Sequence, residues 1–80
     1  MKTIQIQYFA VLREQSGKSA EGIQTSATTA RDLYQELKNR YRFTLSPDLL
    51  RVALNNEFKD WDTVLKSGDQ VVFIPPVAGG

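Results

Sequence analysis

The stretch TTARDLYQELKNRY, residues 28–41, decides the fold. Ala30, Leu33, Tyr34, Leu37 and Tyr41 stand at i, i+3, i+4, i+7 and i+11, which places all five on one stripe of an α-helix. Thr29 and Asp32 mark its start: a hydroxyl at the cap position and an acidic side chain three residues on, the spacing of a capping box with Asp in place of Glu. Glu36 and Arg40 pair at i, i+4, and Lys38, Arg40 and Arg42 gather in the last turn, where the helix dipole favours cations. KNRYR, residues 38–42, also has the form of a basic patch with an interleaved aromatic. Ten Lys and Arg against nine Asp and Glu leave no wider basic surface to support it, so a solvated helix end is the better reading and no nucleic-acid partner is expected.

On either side of this helix the apolar period changes from 3.6 to two. TIQIQYF (3–9) alternates, with Ile4, Ile6 and Tyr8 on one face and Thr3, Gln5, Gln7 and Phe9 on the other. That predicts a first strand with one buried face, and it leaves Phe9 as an aromatic on the polar side. In AVLREQSGKS (10–19), Leu12 closes a single helical turn ahead of a chain reversal at Ser16-Gly17-Lys18. AEGIQTS (20–26) is a second, weaker strand anchored by Ile23. Beyond the helix, Pro47 breaks the helical pattern. LRVALNNEF (50–58) reads as a strand, a tight turn at Asn55-Asn56 and a short return. Trp61, Val64 and Leu65 fall in a loop or single turn, Ser67-Gly68-Asp69 reverses the chain, and QVVFI (70–74) is the last strand.

A hairpin, a right-handed crossover through one helix and a set of returning strands build an α+β, β-grasp (ubiquitin-like) domain: a mixed sheet with one main helix on one face. A split-βαβ fold would need a second helix of comparable length. The expected division is a body over residues 1–74 and an extended C-terminal tail over 75–80.

Composition narrows the chemistry. The chain has no Cys and no His, which removes a thiol nucleophile, a disulfide framework, a thiolate or imidazole metal site and the commonest general base. A side-chain-driven enzyme would have to work from Ser, Thr, Tyr, Lys and carboxylates alone. The longest apolar run, Val71 to Ala78, is too short to span a bilayer and contains Pro75 and Pro76. MKTIQIQ has no apolar core behind its lysine, so a cytoplasmic location without membrane contact is the expectation.

The tail VVFIPPVAGG, residues 71–80, carries the functional signal. Pro75 and Pro76 favour an extended exit from the last strand. At ~3.1 Å per residue the six tail residues reach roughly 20 Å, enough to enter a partner's cleft. Val77 is a candidate anchor there, Ala78 is small, and Gly79 and Gly80 fit a narrow tunnel because they lack a Cβ. No charged side chain follows Asp69, so the working group is expected to be the terminal carboxylate of Gly80, activated by a step such as adenylation before a nucleophile attacks.

Three segments give the chain a family likeness: YFAVLRE (8–14), VALNNEF (52–58) and LKSGDQVVFIPPVAGG (65–80). With them it resembles the small, sulfur-carrier subunit of molybdopterin synthase, the MoaD type, within the ubiquitin-like sulfur carriers. The resemblance implies that Gly80 is adenylated with ATP by a partner like the ubiquitin-activating enzymes. A sulfur-donor enzyme then converts the adenylate to a thiocarboxylate. Pro75, Pro76, Val77, Ala78 and Gly79 thread into the large synthase subunit, where the sulfur passes to cyclic pyranopterin monophosphate to build the dithiolene of the molybdenum cofactor. The implied assembly is a heterotetramer of two small and two large subunits. The catalytic side chains would belong to the large subunit, so this chain would be no enzyme on its own, and it would hold no metal or cofactor; ATP is used by the activating partner. The family's docking patch maps onto Phe9, Phe58 and Ile74, which assigns Val71 and Phe73 to the core. Two other uses of the same carboxylate stand beside this one: sulfur delivery to the thiamine thiazole, against which YFAVLRE argues, and a protein modifier joined through Gly80 to a lysine. A plain binding module with an idle tail is a third alternative.

Overall fold

The computed structural model describes residues 1–76. The elements follow in the order β1 (Lys2–Tyr8), α1 (Ala10–Ser16), β2 (Ala20–Thr25), α2 (Ala30–Tyr41), a 3-10 turn (Pro47–Leu49), β3 (Arg51–Leu54), β4 (Glu57–Lys59) and β5 (Gln70–Ile74). The strands form one sheet in the order β2-β1-β5-β3-β4. β1 and β5 run parallel, and the other neighbours are antiparallel. This is the expected β-grasp arrangement, with the last strand in sequence at the centre of the sheet.

Register explains the core. Ile6 lies opposite Val71 and Tyr8 opposite Phe73 across β1 and β5, while Val52 and Leu54 of β3 meet Phe73 and Val71 from the other side. All six are buried, and α2 lays Ala30, Leu33, Tyr34 and Leu37 over them. The alternation assigned to β5 holds, since Val71 and Phe73 have no exposed surface. Trp61 stacks on Phe73 with ring centroids 5.9 Å apart and 9° between the planes, closing the core at the β3 side.

α2 begins where its sequence says. The Thr29 hydroxyl accepts from the Asp32 N–H at 3.2 Å, and the Asp32 carboxylate accepts from the Thr29 N–H at 3.3 Å. Together they satisfy two N–H groups that a helix start leaves without partners. The helix ends ahead of Pro47, at Arg42, which takes a left-handed φ of 58° and donates its N–H to the Lys38 carbonyl. Pro47 opens the 3-10 turn instead. The hairpin between β3 and β4 turns on Asn55 and Asn56 at φ 52° and 73°, the pair of positive values that a tight two-residue turn demands.

Two features differ from the sequence expectation. Leu12 anchors a seven-residue helix in place of a single turn, because Gly17 at φ 78° lets its N–H close on the Arg13 carbonyl at 3.0 Å. The first strand stops at Tyr8, and Phe9 is the residue that caps α1. The cause is Ala10, whose φ of 51° turns the chain out of the extended course. Phe9 itself keeps extended angles, φ −128° and ψ 154°, and its carbonyl accepts from the Leu12 N–H at 3.1 Å.

At the far end of the sheet, Glu21 of β2 ties the core to the end of α2. The Tyr8 and Tyr41 hydroxyls both donate to its Oε2 at 2.6 Å, and Lys18 pairs with Oε1 at 3.4 Å. Burial alone would raise the Glu21 carboxyl. The hydroxyls of Tyr41 and Tyr8 and the Lys18 ammonium together outweigh it and hold the group below the usual carboxylate range. Burial, reinforced by the Glu21 carboxylate, pushes the Tyr8 hydroxyl upward. No helix among the described residues is long and apolar enough to cross a membrane.

Candidate docking face and tail exit

The sheet face opposite α2 is set by the same register that builds the core. Gln7 lies beside Val72 across β1 and β5, Ala53 beside Val72 and Arg51 beside Ile74 across β3 and β5, and Phe58 beside Ala53 across β3 and β4. Partners in register project to one face of the sheet, and alternation puts that face away from the buried Val52, Leu54, Val71 and Phe73. The Asn55-Asn56 turn brings Phe58 back beside Ala53 in register.

Phe9, Phe58 and Ile74 come together here around one shallow depression with Gln7, Ala53 and Val72. Phe58 is 64% exposed and Phe9 41%, while Ile74 is half-buried. Phe9 reaches this face although it is not part of the strand, because its extended angles continue the alternation of Gln5 and Gln7 for one more residue. Large apolar side chains gathered on a surface mark a place where another molecule binds.

Beside the patch the chain leaves the sheet. Pro75, half-buried, and Pro76, exposed, line a second depression with Asp48, Leu49, Arg51 and Ile74. Val77, Ala78, Gly79 and Gly80, the rest of the expected tail and its carboxylate, lie outside the described residues. Among the described residues no group of three or more Asp and Glu side chains is placed to hold a metal ion.

Sequence reading missed two members of this surface. Leu49, 55% exposed, sits at the tail exit on the 3-10 turn. Arg51 lies with its guanidinium carbon 5.7 Å from the centroid of the Phe58 ring. The signal for Arg51 was present in its spacing of two from Ala53, but it takes the pairing with Ile74 to put the side chain on the patch.

A β-grasp body with an apolar sheet patch beside its departing C-terminal segment has the form of a ubiquitin-like carrier or modifier. The chain belongs to the ThiS family, whose model matches residues 6–80. It is 32% identical over 80 residues to the molybdopterin synthase sulfur carrier subunit of Escherichia coli (strain K12), an alignment covering 96% of this chain and 99% of the relative. A solved chain from Pyrococcus furiosus, described as a putative molybdopterin converting factor, subunit 1, superposes with a TM-score of 0.81 at 31% identity, covering 96% of this chain and all of that one. The fold also matches a chain in the complex of subunits 1 and 2 of the molybdopterin-converting factor from Helicobacter pylori 26695, with a TM-score of 0.68 at 23% identity and coverage of 98% and 99%. The resemblance to the sulfur-carrier subunit of molybdopterin synthase is borne out.

Proposed function

We propose that this chain carries sulfur on the carboxyl group of Gly80 for the synthesis of the molybdenum cofactor. The observation that carries the reading is the likeness to the Escherichia coli sulfur carrier subunit, which extends over 99% of that relative. The lack of Cys and His in the chain supports a role in which catalytic side chains come from partners.

The chemistry follows from the group available. A carboxylate resists nucleophilic attack, so an activating enzyme joins Gly80 to AMP and releases pyrophosphate from ATP. A sulfur donor displaces AMP and leaves a thiocarboxylate. The tail, directed off the body by Pro75 and Pro76, inserts through Val77, Ala78 and Gly79 into the large synthase subunit, and the sulfur passes to cyclic pyranopterin monophosphate. Two such deliveries supply the dithiolene. Phe9, Phe58 and Ile74 dock the body on the large subunit, in an assembly of two small and two large subunits. The Helicobacter pylori complex of subunits 1 and 2, which contains a chain of this fold, supports such a partner.

The test uses the absence of cysteine. Protein purified from its own cell is treated with a thiol-specific alkylating reagent and mapped by fragment mass spectrometry. An adduct on Gly80 is expected. A clean Gly80 carboxylate, even after incubation with ATP, the activating enzyme and a sulfur donor, would overturn the reading and favour a modifier joined to lysine.

A further inference from the structure

Charged side chains make up 24% of this chain, yet the outer face of the sheet nearly lacks them. Alternation and register place Lys2, Glu21, Glu57 and Lys59 on the helix side of their strands. The strand residues on the outer face are amides, Thr3, small residues and the apolar set described above, with one exception, Arg51. Loss of charge is the compositional mark of the centre of a protein interface. Arg51 keeps a charge where its neighbours have none, and it has no ion-pair partner among the described residues.

Its position makes that charge unavoidable for anything that docks. Arg51 pairs with Ile74 in register and lies over the Phe58 ring, so a surface that covers those two residues covers the guanidinium as well. Removing an unmatched guanidinium from water costs several kcal/mol, more than the contact with the ring returns. A guanidinium over an aromatic ring still offers N–H donors in a planar fork that matches the two oxygens of a carboxylate.

We infer that the docking partner presents an Asp or Glu carboxylate within its apolar contact surface, opposite Arg51 and next to the point where the tail departs. This rests on the docking face of the proposed function and adds its charge selectivity. Carriers and partners of the same fold but without this Arg–carboxylate match are then excluded from each other's complexes.

The experiment is titration calorimetry of the full chain against the large synthase subunit from the same organism, with Arg51→Met, Arg51→Glu and Phe58→Asp alongside the parent. Melting temperatures of the Arg51 variants should stay near the parent's, since the side chain is exposed. Arg51→Met is expected to weaken binding about tenfold and Arg51→Glu about a hundredfold or more. One Asp→Lys or Glu→Lys substitution on the large subunit should restore binding to Arg51→Glu while weakening binding to the parent. If Phe58→Asp abolishes binding and both Arg51 variants bind like the parent, the docking face stands and the matched carboxylate is overturned. Loss in Arg51→Glu that no acidic-to-basic change on the partner repairs overturns it too. If Phe58→Asp binds like the parent, the docking face itself falls, and the role of Arg51 with it.

Discussion

Tyr8 donates its hydroxyl to Glu21 at 2.6 Å from a residue that is 1% exposed, so the carboxylate is the fixed acceptor of a group that water cannot reach. Glu21→Ala leaves that donor unsatisfied and frees Tyr41 as well. The expected cost is about 2–3 kcal/mol by urea unfolding at pH 7. A loss below about 0.5 kcal/mol would show that the tyrosines find other partners.

The same carboxylate sets an acid limb to stability. Its folded value lies below the ordinary one, so the unfolded chain binds the proton more readily. The stabilisation is full above about pH 4.5 and is lost as the pH falls through the lowered folded value. Glu21→Gln should flatten that limb. Parallel melting curves for parent and variant between pH 6 and pH 3 would refute the assignment.

Tyr34 contributes to the alkaline side, together with Tyr8, whose hydroxyl burial also raises. Burial pushes the Tyr34 hydroxyl up to about 12, and the group donates to the Leu45 carbonyl at 2.7 Å. A raised folded value gives stability that is full below about pH 10 and declines as the pH climbs toward 12. Phenolate absorbance should show Tyr34 titrating near 12 in the folded protein. Its appearance near 10 before unfolding would contradict the packing.

Ala10 holds φ 51° with an exposed side chain. Glycine takes such an angle freely, whereas a Cβ there costs roughly 1–2 kcal/mol. Ala10→Gly should therefore raise stability by about 0.5 kcal/mol after the added freedom of the unfolded chain is counted. At most exposed helix positions that substitution costs about 1 kcal/mol. A loss of that size at residue 10 would mean the methyl group contributes packing of its own.

Addition of one residue after Gly80 separates body from tail. The melting temperature should not move, because β5 ends at Ile74. Sulfur delivery in a reconstituted synthase assay should fall to background. Retained delivery would remove the carboxyl group of Gly80 from the chemistry.

Local pattern made the body legible. Ile4, Ile6 and Tyr8 announced β1 by parity, and Thr29 with Asp32 announced the start of α2 by a cap that the structure contains. What stayed hidden depends on atoms far apart in sequence. Nothing near Ala10 signals a left-handed angle, so alternation alone extends the strand one residue too far. The convergence of Tyr8 and Tyr41 on Glu21 joins three elements. The patch was legible where a residue's face follows from its own strand, as at Phe9; at Ile74, where both faces of the strand are apolar, it took the family likeness, and at Arg51 it stayed hidden because the face follows from pairing.

β5 lies between β1 and β3, so it is the strand that joins the two hairpins of the sheet. On a ribosome the N-terminal hairpin, α2 and the second hairpin all emerge before it. Until Gln70–Ile74 arrives, β1 and β3 have no strand between them, and the two halves of the sheet can meet only through α2. Closure then brings together residues near opposite ends of the chain, the kind of non-local pairing that slows folding. The nascent protein thus waits, half assembled, for the segment that directly precedes its tail.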